Sequence, residues 1–595
     1  MQKYLLLINL GPVQGFIATA RRTRDLYAGS RLLSGAAHAV AEVLEQNDVH
    51  LIFPSTQGTT LGELAKAGIP NVIMGTVEGK DPAQLAKEAQ NAAQAYLQNT
   101  SKAVFKRAAG LLLNPEAAQK QVADLLEFYW IAVPYEGEKD YVQARQTATR
   151  LMAARKNTRD FAPVSWAGLV QKSSLDGALE SVIDLRWKYG KLSNIPDEIR
   201  ETHEKVKLKL GIRPGEELSG VDLLKRLYPA ENFASTSHLA ALPFLMGLTS
   251  DELKLLNKTL DEITNLVETE DVEQWNIAPI FKCIGKRDPR LLFPSRLKEL
   301  ISDEEKRRQA EGKLAELYQK LKKEPYPYYA ILHADGDRMG KAISNQTTVE
   351  GHRKLSTKLT EFSMKVKNIV QKHAGSLVYS GGDDVLALLP LHKALDCARE
   401  LADRFKKDLE DFKDKEGKSP TLSVGLAVVH HLFDLGEALD LARKAEKVAK
   451  EKRNSLAVIV APRSGVELLV RGSWSEEQLE KPLDERLMEY AQWLYKDCIP
   501  TGWAYELHEL AELMNVETLQ EALPNEAVRT LERKGKVAEG VKKELKARLK
   551  HGADRAKALA RELIAARHFA RAFALARKLE SKREQEANPC DEPRG

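Results

Sequence analysis

The stretch Leu377-Val378-Tyr379-Ser380-Gly381-Gly382-Asp383-Asp384-Val385-Leu386-Ala387-Leu388-Leu389 leaves few folding options. Two apolar, β-prone runs flank two glycines and two adjacent acids, the pattern of a hairpin with carboxylates at its tip. Upstream, Tyr328-Tyr329-Ala330-Ile331-Leu332-His333-Ala334 runs straight into Asp335-Gly336-Asp337, a second strand ending in acid. With those strands side by side, Asp335, Asp383 and Asp384 converge, and such a cluster is tolerated mainly when a divalent cation neutralises it. Taken alone, Gly-Gly-Asp-Asp is equally a solvated turn, because Gly and Asp suit turns for steric and hydrogen-bonding reasons. The paired strand ending in Asp335 turns the reading toward a site.

A chain of 595 residues exceeds one hydrophobic core, and roughly three to five domains is the expectation. Its 43% hydrophobic and 29% charged residues fit a folded protein, and a net charge of +5 excludes a polycation, so any nucleic-acid surface is a local patch. Cys283, Cys397, Cys498 and Cys590 are widely separated with no Cys-x-x-Cys pair, which argues against a disulfide framework and a cysteine-rich zinc site. The opening run Tyr4–Ile8 is too short for a signal-peptide core or membrane span, and no later stretch reaches spanning length, so a cytoplasmic protein is expected.

Residues 3–10 read as a strand, followed by Gly11-Pro12-Val13-Gln14-Gly15-Phe16-Ile17 and a helix through Arg21-Arg22-Thr23-Arg24. A second helix is expected from about Ser34 to Gln46, strands at 49–54 and 71–74, and long helices over 82–128. Residues 1–150 thus form an α+β domain. Helices dominate 151–324, and the pair Pro325 and Pro327 marks its end. Residues 325–474 run strand, helix, hairpin, helix, strand, helix, strand, the order of a palm-type, ferredoxin-like sheet. Residues 475–595 are nearly all helix-forming, with Lys and Arg toward the end and a tail, Ser581 to Gly595, of disordered composition.

The chain resembles the large palm-containing subunit of type III CRISPR RNA-guided effector complexes, in the Cmr-type (type III-B) branch. The likeness is carried by Gly11–Ile17 with Arg21-Arg22-Thr23-Arg24-Asp25-Leu26 and Gly29-Ser30, by Arg159-Asp160-Phe161 and Phe233-Ala234-Ser235-Thr236-Ser237, by Asp335-Gly336-Asp337-Arg338-Met339-Gly340-Lys341 and Ser380-Gly381-Gly382-Asp383-Asp384, and by Ser423-Val424-Gly425 and Ala449-Lys450. The resemblance implies an α+β, multidomain fold: a degenerate and a catalytic ferredoxin-like palm facing each other, with a helical central domain and a C-terminal helical bundle. It implies synthesis of cyclic oligoadenylates from ATP, switched on when a guide RNA pairs with target RNA, among small and backbone effector subunits and away from membranes. Two departures matter. Family members often begin with a histidine-aspartate nuclease domain, whereas this sequence starts with the palm motif and has no His-Asp dipeptide, so DNA cleavage by that route is not expected. Many relatives bind zinc through cysteines where this chain has Ser173, Asp176, Ser219 and Val221, so no zinc is expected.

Making a phosphodiester from ATP calls for deprotonating a ribose hydroxyl and stabilising departing pyrophosphate, which two Mg²⁺ or Mn²⁺ ions bridged by carboxylates accomplish together. Asp335, Asp383 and Asp384 are the expected ligands and catalytic residues. Adjacent strand residues face opposite ways, so Asp383 and Asp384 should not share one role. Asp337 either assists or only shapes the turn. Gly381 and Gly382 allow close approach of a nucleotide, and Ser380 either touches ribose or phosphate or is a turn serine. Pattern alone reads Lys447 and Lys450 as a solvated helix face; the resemblance adds a triphosphate-holding role. On the first palm, Arg21, Arg22, Asp25 and Ser30 either complete a second nucleotide site or face partner subunits, and His333 reads as packed rather than catalytic. The rival readings are a stand-alone nucleotide cyclase, a scaffold with a relic palm, and a templated polymerase.

Overall fold

The computed structural model describes residues 2–158, 170–229, 233–267, 284–285, 287–476, 481–535, 537–550 and 552–576. The motif Arg159-Asp160-Phe161 and the tail from Ser581 lie outside the described residues.

An antiparallel sheet in the order β2-β3-β1-β4 organises the N-terminal part, from β1 (Lys3–Gly11), β2 (His50–Phe53), β3 (Val72–Glu78) and β4 (Glu127–Tyr135). Its helices are α1 (Gln14–Ala18), α2 (Thr23–Gln46), α3 (Leu61–Ala67), α4 (Pro82–Lys106), α5 (Pro115–Ala123) and α6 (Glu138–Lys156). Alternation along β1 sends Leu6, Ile8 and Leu10 into one core, while Leu5 and Leu7 meet Tyr141 and Met152 of α6 in another. Both faces are covered, so β1 is apolar throughout. Two expectations are corrected here. The region 82–128 is not all helix: α5 ends at Ala123 and β4 begins at Glu127, a strand whose mixed burial weakened its alternation signal. Nor does a separate helix begin near Ser34. α2 is continuous from Thr23, its first turn closed by the Arg22 N–H donating to the Asp25 carboxylate at 3.2 Å.

The centre is helical, with α7 (Gly220–Leu227) and further helices at Asp197–Lys209, Thr236–Met246, Ser250–Thr264 and Glu304–Leu321. One buried charge network joins it to the first sheet. Arg226 of α7 has no side-chain exposure and bonds Asp25 of α2 at 3.0 Å and Glu216 at 2.9 Å.

The second sheet has the order β10-β9-β8-β5-β7-β6. Its strands are β5 (Tyr328–Asp337), β6 (Ser376–Ser380), β7 (Asp384–Pro390), β8 (Thr421–His430), β9 (Ser455–Ala461) and β10 (Leu468–Ser473). All pairings are antiparallel except β8–β9. The strand β10 follows the one expected to be last. Helices α8 (Val349–Lys372), α9 (Leu391–Asp408) and α10 (Leu435–Lys452) pack on it. Ala330, Leu332 and Ala334 enter the core that α8 and α9 share with the C-terminal helices; Tyr329 and Ile331 face α10 and join the core that continues into the N-terminal sheet. The C-terminal helices α11 (Leu483–Tyr495), α12 (Trp503–Leu513), α13 (Leu523–Glu532), α14 (Glu539–Leu549) and α15 (Ala553–Leu575) bring Trp503, Phe569 and Phe573 into that first core. Among the described residues, no helix is long and apolar enough to cross a membrane.

Candidate active site

Register decides which acids meet. β5 lies between β7 and β8, with Asp335 opposite Asp384 on one side and Ser423 on the other. Strand period places Asp335, like His333, on the α10 face. Asp384 shares that face because Leu386 and Leu388, two and four residues on, join the same core. Asp383 sits in the turn and is carried elsewhere: a Cβ at Gly336 would lie 2.8 Å from its Cβ and 2.9 Å from the Phe405 ring of α9. Its carbonyl accepts the Gly336 N–H at 3.0 Å. The adjacent acids therefore occupy different surroundings.

The turn closes with the Gly381 N–H donating to the Asp384 carbonyl at 2.9 Å, and Gly382 has φ +95°, the left-handed region open to glycine at least cost. Ser380 is 2% exposed and its hydroxyl bonds Ser363 of α8 at 2.8 Å, so the structure gives it a protein partner beneath the turn. Asp337 is also 2% exposed, accepting from Thr421 and Ser423 at 2.8 Å each and from the Asn454 N–H at 2.8 Å. It pins the end of β5 to β8 and to the α10–β9 turn, the turn-shaping alternative of the two left open by the sequence.

The expected cations separate. Lys450, on the last turn of α10, bonds Asp335 directly, whereas Lys447 is exposed. Ser30 is 7% exposed on α2 and Arg21 is exposed, but Asp25 is wholly buried against Arg226, which makes it a structural ion pair rather than a nucleotide or partner contact.

Charge accumulates around Asp335. Burial, then the negative charge of Asp335, pushes Asp383 up to about 6 and Asp384 up to about 7. The same causes in the same order push Glu446 up to about 7. Burial works against the Lys450 ammonium, but its bond to Asp335 outweighs this and its pKa is raised. His333 lies between Asp384, at 3.7 Å, and Glu446, at 3.8 Å; burial, with Arg443 and Lys450 nearby, lowers it to about 4 and keeps it neutral. Sequence reasoning missed Glu446. The one available signal was its place four residues before Lys450, on the same helix face.

As placed, no three His, Cys, Asp or Glu side chains among the described residues form a metal-holding group. The expected trio is brought near, but Lys450 takes up the counter-charge on Asp335. The donors nevertheless suit a hard divalent cation: they are carboxylate oxygens, and Asp384 Oδ1 accepts no hydrogen bond among the described residues. The central positions 173, 176 and 219 also meet, not around cysteine but through hydrogen bonds: Ser173 to Asp222 at 2.6 Å, Ser219 to Asp222 at 2.9 Å and Ser219 to Asp176 at 3.1 Å. Val221 is buried in the core.

The N-terminal sheet borders the acidic turn. Phe53, Pro54, Leu64, Gly68 and Pro70 line a small cavity with Leu359, Thr360, Ser363 and Gly382. The Ser55 N–H donates to Ser356 of α8 at 2.9 Å, and Tyr141 bonds His352 at 2.7 Å.

Residues 328–457, β5 through the early part of β9, match the family model of the second palm domain of Cas10/Cmr2. This palm is similar to the second palm of Cas10/Cmr2. Residues 5–110 match the N-terminal domain of the CRISPR-associated protein Cmr2. The CRISPR system Cmr subunit Cmr2 of Pyrococcus furiosus is 25% identical over 574 residues, covering 81% of this chain and 65% of that protein, so the Cas10/Cmr2-like chain spans just under two thirds of its relative's length. The fold is shared with a chain of the type III-B Cmr-beta complex in its apo state (TM-score 0.62, 14% identity, 89% of this chain and 77% of that one). A chain of Cmr-beta bound to cognate target RNA is equally similar (TM-score 0.61, 14% identity, 89% and 78%). The two-palm, helical-centre architecture and the resemblance to Cmr-type large subunits both hold.

Proposed function

We propose that this chain is the catalytic large subunit of a type III-B effector complex and joins ATP into cyclic oligoadenylates when the complex binds target RNA. The assigned units are a first palm in 1–150, a helical centre in 151–324, the catalytic palm in 325–474 and a helical C-terminal domain in 475–595. The observation that carries the reading is the opposition of Asp335 and Asp384 on one face of the second sheet, with Lys450 against them and the first sheet closing over the glycine turn. Carboxylates brought together by the fold and pushed upward in pKa by burial and by one another are the arrangement expected of a functional site.

Asp335, Asp384 and Asp383 are the residues that would hold Mg²⁺ or Mn²⁺, which when bound stabilises negative charge on the phosphates and activates the ribose hydroxyl. The remaining work belongs to the chain. Gly381 and Gly382 remove side-chain bulk where nucleotide backbone approaches. Lys450 is a mobile point charge that leaves Asp335 for a phosphate oxygen. Neutral His333 adds no competing positive charge beneath the acids. The partners proposed are the small and backbone subunits, with guide and target RNA reached through the complex; the similarity to a chain of target-bound Cmr-beta supports this choice.

The test is incubation of the purified chain with ATP and Mg²⁺ or Mn²⁺, with and without guide-loaded partner subunits and cognate RNA, followed by product analysis. Cyclic oligoadenylates formed only with cognate RNA support the proposal. A linear templated product, or intact ATP under every condition, overturns it in favour of a polymerase or a scaffold.

A further inference from the structure

We infer that Glu446 is a positioning residue of the acidic site, holding the Lys450 ammonium beside the cluster and supplying negative charge that favours a divalent cation at Asp335 and Asp384. The inference rests on the functional reading given above.

It begins with a glycine. A Cβ at Gly425 would lie 2.2 Å from the Glu446 nitrogen and 2.6 Å from the Ala442 carbonyl oxygen. Helix α10 therefore rests its backbone directly on β8, and the side chain of Glu446 is driven toward the sheet rather than to solvent. Glu446 is 6% exposed. Its Oε2 stands 3.8 Å from His333 Nδ1 and its Oε1 stands 3.9 Å from Lys450 Nζ. Neither distance is a hydrogen bond, and Oε1 accepts none among the described residues.

A carboxylate so placed is costly. Glutamate is almost never fully buried unless paired, and here the cation within reach is already bonded to Asp335. Packing does not call for the charge, since a glutamine would fill the same space. What the charge does is electrostatic. Lys450 lies between Asp335 and Glu446, one turn apart on α10 from the latter, so when Asp335 exchanges the ammonium for a divalent cation, Glu446 keeps that ammonium next to the site. Lys447, the neighbouring basic residue, is exposed. Glu446 thus weakens the resting fold in favour of cation binding, the trade expected where function opposes stability.

The test separates this role from a structural one. Mn²⁺ binding to the full chain without ATP is measured by electron paramagnetic resonance or calorimetry for the wild type, Glu446→Gln, Glu446→Asp and the Asp383→Ala/Asp384→Ala double variant, together with thermal midpoints. Removing a unit charge several ångströms from the cation in a half-buried site should weaken Mn²⁺ binding about tenfold in Glu446→Gln, while its thermal midpoint stays level or rises. Glu446→Asp, which keeps the charge, should recover most of the affinity. Unchanged Mn²⁺ affinity in Glu446→Gln, or a fall in its midpoint, overturns the inference. If the wild type binds Mn²⁺ no better than the double aspartate variant, the reading of the whole site falls with it; if only the Glu446→Gln result fails, that reading survives.

Discussion

Asp335 and Asp384 are directly opposed across the β5–β7 ladder, two carboxylates on one face of one sheet, and the ammonium bonded to the first comes from a helix distant in sequence, at Lys450. Like charges at opposed positions repel. The sheet holds them there through apolar residues on both faces, so stability is given up at the strand ends and regained in the middle.

This repulsion makes stability depend on pH. Asp384 is raised from an ordinary 3.8 to about 7 by burial and by Asp335. A raised pKa means that the folded chain binds the proton more tightly, so the contribution is present below about 3.8 and is lost as pH rises toward 7. Asp384→Asn lacks that loss. Its thermal midpoint relative to wild type should climb from pH 4 to pH 7 and then level off, with a gain of about 1–3 kcal/mol at the plateau, and added Mn²⁺ should shrink the gap. A flat difference across that range would count against the electrostatic account. ATP turnover in the variant should be lost throughout.

The Arg226–Asp25–Glu216 network joins α7 to α2 with no side-chain exposure at Arg226 or Asp25. Removing one partner strands a buried charge, at a cost of about 3–5 kcal/mol. Asp25→Ala should therefore lower the thermal midpoint or yield insoluble chain. Simultaneous replacement of all three, Asp25, Glu216 and Arg226, by apolar residues of similar volume should restore folding, as followed by calorimetry.

Gly425 admits no side chain, because the Glu446 nitrogen lies 2.2 Å from where a Cβ would sit. Gly425→Ala should push α10 off β8, costing about 1–3 kcal/mol as overpacking does, and should move Lys450 away from Asp335. The paired measurement is denaturant unfolding and ATP turnover, with activity falling further than stability.

At the contact between the palms, Gly68 has φ +123°, and a Cβ there would stand 3.4 Å from the Ser380 carbonyl oxygen. Gly68→Val should cost about 1–3 kcal/mol through backbone strain and displace the acidic turn. Turnover should drop at unchanged KM for ATP, measured by steady-state kinetics, whereas Ser363→Ala, which removes only the hydroxyl holding Ser380, should give a milder loss of the same kind.

The hairpin, β5 and the palm order were legible because each rests on local chemistry: alternating or continuous apolar runs, glycines at turns, acids at strand ends. β4 was not, since Phe128-Tyr129-Trp130-Ile131-Ala132-Val133 is aromatic or aliphatic on both faces and shows no polar–apolar alternation. The partners of Asp25 and Ser380 were not legible for a related reason. Their residue types suit a site, and only the fold shows Asp25 bonded to Arg226 and Ser380 to Ser363.

The sequence by itself determined an acidic hairpin and a strand ending in acid, because each follows from neighbouring residues; that the two lie side by side is a pairing made by the fold. The tertiary structure decided the rest. It set the register that opposes Asp335 to Asp384 and sent Asp383 toward α9. It brought Lys450 and Glu446 to the same face while leaving Lys447 in solvent, because the side of α10 that rests on β8 is fixed by the close approach at Gly425 and by the packed core rather than by the spacing of charges along the helix.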